Sequence, residues 1–275
     1  MIYSFYWSPT GGTKKVMDIL TEEFFAIAKE SGQEHVQELK AVEFTNRSIY
    51  WDIKGIKEED ICFVGVPSFG GRVPEPAIKH MEEMKGRGSI VIPVVVYGNR
   101  AIDDTMLELK NQLYRSRFYP VAGVAAVAEH SILRQYGAGR PDAQDAKELK
   151  EFAAKIWKRL EEVKELRAGG KHISYIVEEF VVPGEDPYVE RKPAALQPEA
   201  GRKCKGCGLC LEQCPAGAIP VENPKETNFD ACIGCMRCVQ ICPNKARSVS
   251  SVKLVAAGMK MKKLLEERKE NYLYI

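Results

Sequence analysis

Eight of the nine cysteines fall between residues 204 and 242, in two runs, CKGCGLCLEQCP and CIGCMRCVQICP. Each run reads C-x2-C-x2-C-x3-C-P, and the second repeats the first at an offset of 28 residues, Cys204 to Cys232. Four thiolates converging on one small inorganic core can hold a cubane iron–sulfur cluster. Three cysteines at this spacing wrap one face of such a core, and the fourth, too far along to close the same core, reaches the neighbouring one. The expected wiring is therefore Cys204, Cys207 and Cys210 with Cys242, and Cys232, Cys235 and Cys238 with Cys214. Gly206, Gly208 and Gly234 let backbone approach sulfur, and Pro215 and Pro243 end the turns. Zinc sites pair separated two-cysteine elements rather than one dense run. A disulfide framework belongs to secreted chains, and no secretory leader is read here.

A second chemical candidate is the stretch SPTGGTKK at 8–15, between a strand-like run and a helical pattern. A Gly-Lys-Ser/Thr loop and a G-x-G-x-x-G fingerprint are both missing. What remains is a set of hydroxyls at Ser8, Thr10 and Thr13 with glycines at Gly11 and Gly12. At a helix N-terminus, unpaired amides and a partial positive charge suit a monophosphate, and hydroxyls add donors without a lysine.

The elements that must position these groups alternate. Strands are predicted at 2–7, 35–40, 61–66, 90–97 and 121–128, the fourth a β-branched run typical of buried parallel strands. Helices are predicted at 14–30 (Val16, Ile19, Leu20, Phe24, Ile27), 76–85 (Ile78, Met81, Met84), 103–116 (Met106, Leu109, Leu113) and 142–166 (Leu149, Phe152, Ala153, Ile156, Leu160, Val163). Five strand–helix alternations read as an α/β doubly wound parallel sheet. The expected organisation is an α/β domain at 1–166, a turn-rich connector at 167–201 with one short strand in HISYIVEEFVV, a small α+β cysteine domain at 202–250 and a helical tail at 251–275. Leu254, Val255, Met259, Leu264 and Leu265 would dock that tail on either domain.

Residues 202–248 closely resemble bacterial ferredoxins carrying two [4Fe–4S] clusters. Residues 1–166 resemble the flavodoxin family, whose first loop binds the phosphate of FMN. That resemblance includes VPSFGG after the third strand and VYGNRAIDD after the fourth. It implies a five-stranded sheet in the order 2-1-3-4-5, with the flavin at the switch point. Pro67, Ser68, Phe69 and Gly70 would then flank the ring on one side, and Tyr97, Gly98, Asn99 and Arg100 on the other. The whole chain resembles the flavodoxin-plus-ferredoxin fusions of anaerobic microbes.

The net charge of +2, 45% hydrophobic and 28% charged residues describe an ordinary globular chain. There is no broad basic excess for nucleic acid and no apolar run long enough to insert in a membrane. A cytoplasmic location is expected. Two functions fit: an electron carrier relaying between clusters, FMN and redox partner proteins, or an FMN-dependent reductase passing electrons to a small acceptor such as a quinone. The second draws on Arg72 and Arg100, cations in the ring loops, unless they point to solvent or pair with Glu75 and Asp103. No catalytic acid or base is identified, and the carrier is the preferred reading. His130 reads as a strand-end histidine, Pro141 and Asp142 as helix-start residues, and Cys62 as a core thiol. Donor, acceptor and any homo-oligomer are left open.

Overall fold

The computed structural model describes residues 1–32, 37–47 and 55–275. Its parallel strands are β1 (Ile2–Tyr6), β2 (Leu39–Glu43), β3 (Ile61–Pro67), β4 (Ile90–Tyr97), a two-residue β5 (Tyr119–Pro120) and β6 (Gly123–Val127). The path β2-β1-β3-β4-β6, with β5 also on β4, is the 2-1-3-4-5 order with 123–127 as its fifth strand. Apolar runs in β1, β3, β4 and β6 are buried nearly throughout, because helices cover both faces. Helix α1 (Gly12–Glu30) and helix α4 (Ala143–Ala168) close one face; α2 (Glu75–Glu82) and α3 (Thr105–Arg115) close the other. Gly65 lets α1 settle on β3: a Cβ there would lie 2.5 Å from Met17 Sδ. This is a flavodoxin-like α/β fold.

Three expectations are corrected and a fourth is narrowed. The second strand runs 39–43 rather than 35–40, with 35 and 36 outside the described residues. HISYIVEEFVV forms helix α5 (Ile173–Glu179), not a strand. His172 caps it by accepting from the Ser174 amide, and Ile173, Ile176, Val177 and Phe180 are buried at helical spacing. The tail is helical only over α8 (Ser251–Leu265) and ends in strand β9 (Tyr272–Tyr274), which adds antiparallel to β6. Finally, α8 docks on the first domain through Leu265 and Gly258, whose carbonyl accepts from Tyr136 at 3.1 Å. Val255, Met259 and Leu264 are exposed instead.

The connector is held against the α2/α3 face. Asp104 accepts from the amides of Glu185 and Val189 at 2.9 and 2.5 Å. Arg191 donates to Glu108 at 2.7 Å and to the Val73 carbonyl at 2.6 Å. A chain so fastened gives the cysteine segment a defined seat.

That segment contains β7 (Glu199–Ala200), α6 (Leu209–Glu212), α7 (Arg237–Gln240) and β8 (Arg247–Ser248), with β7 and β8 paired antiparallel. The 28-residue repeat holds in the backbone. Gly206 and Gly234 share positive φ (70° and 65°), as do Gly208 and Met236 (79° and 62°) and Gly217 and Lys245 (63° and 47°). In the second copy two of these left-handed positions carry side chains, a conformation that costs on the order of 1 kcal/mol or more each.

Candidate functional site

Strands β1, β3 and β4 are neighbours, so the loops leaving their carboxyl ends meet at one edge of the sheet. Trp7 packs edge-on against Phe69, ring centroids 5.8 Å apart, which joins the first loop to the second. The Ser68 amide donates to the Val96 carbonyl and the Asp104 amide to Gly71, at 2.8 and 3.1 Å, which joins the second to the third. Pro67, Ser68 and Phe69 are half-buried and Gly70 is exposed.

The first loop is built around Ser8. Its amide donates to Thr45 Oγ1 at 2.7 Å, and its own Oγ accepts from the Lys14 amide at 3.0 Å. Thr45, just past β2, escaped the sequence reading because nothing in its local spacing marks it. Gly11 precedes α1 at φ 90° and, lacking a side chain, caps nothing, and the Gly12 and Thr13 amides have no partner among the described residues. Thr10 stands half-exposed beside them and Thr13 is buried. Buried Trp7 Nε1 is also unpartnered among the described residues. Unpaired donors at a helix N-terminus beside an aromatic pair fit a phosphate with a flat ring attached.

The loop after β4 is differently engaged. Tyr97 donates its hydroxyl to the Glu270 carbonyl at 2.6 Å, and the Asn99 side-chain amide reaches the carbonyls of Leu265 and Glu267 at 2.6 and 2.8 Å. Both residues are buried under the tail, and that burial pushes the Tyr97 phenol well above its usual range. Gly98 backs onto His130, where a Cβ would come within 2.9 Å of the histidine Cα. The Tyr97 and Asn99 side chains therefore brace the tail. Arg100 pairs with Asp103, and Arg72 grips Glu108 with Nε and Nη2 at 2.9 and 2.7 Å.

A buried polar network anchors the same tail. Arg140 pairs with Asp145, which also accepts from Asn271 at 2.9 Å, while Arg268 meets Asp142 at 2.8 Å. Asp142 caps α4 in a capping box with Asp145, as the sequence reading expected of a helix-start residue. Burial pushes the Asp145 carboxyl up, but Arg140, the Asp142 amide and Asn271 together hold it below its ordinary range. His130 accepts from the Ile132 and Leu133 amides through Nδ1 at 3.1 and 3.2 Å. Burial lowers its pKa, so the neutral ring that can accept these bonds is favoured.

In the cysteine segment two cavities lie side by side. One is lined by Cys204, Cys207, Cys210 and Cys242; the other by Cys214, Cys232, Cys235 and Cys238. Cys214 and Cys242 thus cross over, each lining the cavity of the other run. Their sulfurs accept backbone N–H groups at equivalent places, from Ala218 at 3.3 Å and Ala246 at 3.2 Å. Burial pushes the Cys238 thiol up to about 12 against the pull of Arg247. Four thiols line each cavity, the number of ligands a cubane cluster takes.

The two regions touch. Cys235 is buried in the apolar cluster that contains Trp7 and Val66, and Ile233 and Phe69 pack against it. Arg237 reaches Glu43 of β2 at 3.2 Å and the Ser8 carbonyl at 3.5 Å. A wide cleft lined by Arg87, Arg117 and Lys171 among others lies at the opposite end of the strands, away from all of these groups.

Residues 203–247 match the 4Fe-4S dicluster domain. A comparison with curated proteins returned no match. Among solved structures the chain is similar to a flavodoxin from the domain Archaea at 14% identity and a TM-score of 0.41, covering 58% of this chain and 98% of that one. It is similar to two-electron reduced Megasphaera elsdenii flavodoxin at 22% identity and 0.36, covering 56% and 99%. It is also similar to Fusobacterium nucleatum flavodoxin bound to flavin mononucleotide at 17% and 0.37, covering 57% and 96%. The strand order of the sheet and the match at 203–247 together describe a flavodoxin-like fold carrying a ferredoxin-type 4Fe-4S segment, the arrangement of a flavodoxin–ferredoxin fusion.

Proposed function

We propose that the protein is an electron carrier that joins FMN to two [4Fe–4S] clusters within one chain. Cys204, Cys207, Cys210 and Cys242 would hold the distal cluster, and Cys232, Cys235, Cys238 and Cys214 the proximal one. The observation that carries the reading is that Arg237, which lines the cavity of Cys214, Cys232, Cys235 and Cys238, reaches the Ser8 carbonyl of the first loop, with Cys235 buried in the same apolar cluster as Trp7. When bound, the clusters supply one-electron exchange and the flavin one- or two-electron exchange; the protein's part is to fix distance and environment.

The residues divide that work. The Gly12 and Thr13 amides, with the hydroxyls of Ser8, Thr10 and Thr13, hold the phosphate at the start of α1. Trp7 and Phe69 exclude water on the cluster side. The loop at 97–100 contributes through its backbone, since the Tyr97 and Asn99 side chains are committed to the tail. The reductase alternative drew on free cations at Arg72 and Arg100, and both guanidiniums face carboxylates here.

The test is anaerobic purification with iron, sulfide and flavin quantitation, followed by rapid mixing with a reduced ferredoxin-type donor protein. Clusters should reduce first and flavin afterwards at a rate independent of protein concentration, with NADH or NADPH alone acting poorly. Fast flavin reduction by a nicotinamide donor, with turnover of a quinone in protein stripped of clusters, would establish the reductase instead.

A further inference from the structure

The internal repeat supplies a comparison of the two cluster cavities. An offset of 28 residues places Ile219 opposite Arg247 and Leu209 opposite Arg237. Ile219 and Arg247 are both 3% exposed, so a buried aliphatic in one half is answered by a buried guanidinium in the other. Features that tune both cavities alike, such as the two backbone N–H···S contacts, follow the repeat. The arginines break it.

Each arginine is pinned at its far end. Arg247 gives Nη1 to Thr227 Oγ1 at 2.7 Å and Nη2 to the carbonyls of Pro224 and Glu226 at 2.6 and 2.9 Å. Arg237 gives Nη1 to Glu43 and the Ser8 carbonyl and Nη2 to Gln213 Oε1 at 3.1 Å. In both, Nε–H is buried without a partner among the described residues. Both residues line the cavity of Cys214, Cys232, Cys235 and Cys238, and Arg247 lines the other cavity as well. A buried donor left unpaired is costly, so these two N–H groups call for an acceptor in the cavity they line. Lys205, which lines the distal cavity, is exposed, and solvent screens its charge.

We propose that Arg237 and Arg247 set the potentials of the two clusters unequally. Their Nε–H groups donate to sulfur of the proximal cluster, and Arg247 also lends its charge to the distal one. One-electron reduction adds a negative charge to a cluster without a proton. A guanidinium fixed against it favours the reduced form and raises its potential. Burial alone would hold the proximal cluster low, and the arginines offset this at the cluster nearest the flavin loops. The proposal rests on the assignment of these cysteines as cluster ligands.

The experiment uses the full-length, cluster-loaded protein. Iron and sulfide are measured first: about eight of each per chain is what two cubanes require. A wild-type content well short of that overturns the ligand assignment rather than the role of the arginines. Potentiometric titration with dithionite, read by electron paramagnetic resonance, then compares wild type with R237Q and R247Q. R237Q should lower one potential by at least a tenfold change in the reduction equilibrium, about 59 mV for one electron, and leave the other in place. R247Q should lower both. R237K and R247K keep the charge but lack the Nε–H, and should recover part of each shift. Unmoved potentials at full iron content, or equal movement of both in R237Q, would overturn the proposal. So would loss of iron in the lysine forms, which would make the arginines folding residues.

Discussion

Arg237 Nη1 lies 3.2 Å from Glu43 Oε1, joining a residue set between Cys235 and Cys238 to the end of β2. Side-chain exposures of 19% and 37% make it a partly solvated pair, so its worth is about 1 kcal/mol or less. Glu43→Gln should therefore leave overall stability within that margin in a urea titration. It should also slow electron exchange between clusters and flavin, and rising salt should slow the wild type toward the same rate. Equal rates in both proteins at low salt would show that the apolar contact at Cys235 alone seats the segment.

The crossed cysteines make a prediction about wiring. Cys214→Ala should perturb the signal of the cluster built on Cys232, Cys235 and Cys238, and Cys242→Ala the other. Because the small segment has little core without its metal, some loss of both is expected in each variant. The ratio of the two signals is the readout, and it should move in opposite directions.

Selectivity for phosphate should reside in the first loop. The full chain should bind FMN far more tightly than riboflavin, measured by flavin fluorescence quenching. Replacing Thr10 and Thr13 with valine should remove most of the difference, about 1.5–3 kcal/mol for each donor lost to a charged acceptor. Equal affinities in the wild type would end the phosphate assignment.

The tail should depend on Asp145. Asp145→Asn leaves Arg140 buried without its charge partner, a loss of about 3–5 kcal/mol. Hydrogen exchange at Tyr272–Tyr274 should rise as β9 leaves the sheet.

The pH dependence follows from the same carboxylates. Asp142 is held low by Arg268 and Asp145 by Arg140 despite its burial, both below the ordinary 3.8. Their contribution is fully present above that value and is lost as pH falls through the depressed pKa values. Protection of the tail amides, taken relative to their intrinsic exchange rates, should therefore fall on acidification below about pH 4, and less so in Asp145→Asn.

Cys62 is the contrasting thiol. It is fully buried, and burial pushes its pKa up to about 12. In apo-protein, iodoacetamide should modify exposed Cys207 rapidly and Cys62 only on unfolding, as read by peptide mass.

The sequence by itself determined whatever depends on local spacing. Apolar periodicity and β-branched runs placed the helices and most of the parallel sheet, since a strand buried on both faces must be apolar throughout. The cysteine repeat announced its chemistry because one loop must present three thiols at once. HISYIVEEFVV misled because a short apolar stretch satisfies both periods, and only the His172 cap and the burial of Ile173, Ile176 and Phe180 chose the helix. Tertiary structure decided the rest. Asp104 and Glu108 fasten the connector from more than 75 positions away in the chain (Glu185, Val189 and Arg191), and Asn99 and Asp145 hold the tail. The unpaired Nε–H groups of Arg237 and Arg247 are visible only once their other donors have found partners. Long-range polar pairing leaves no periodic trace, because each partner needs only one polar atom at the right point in space.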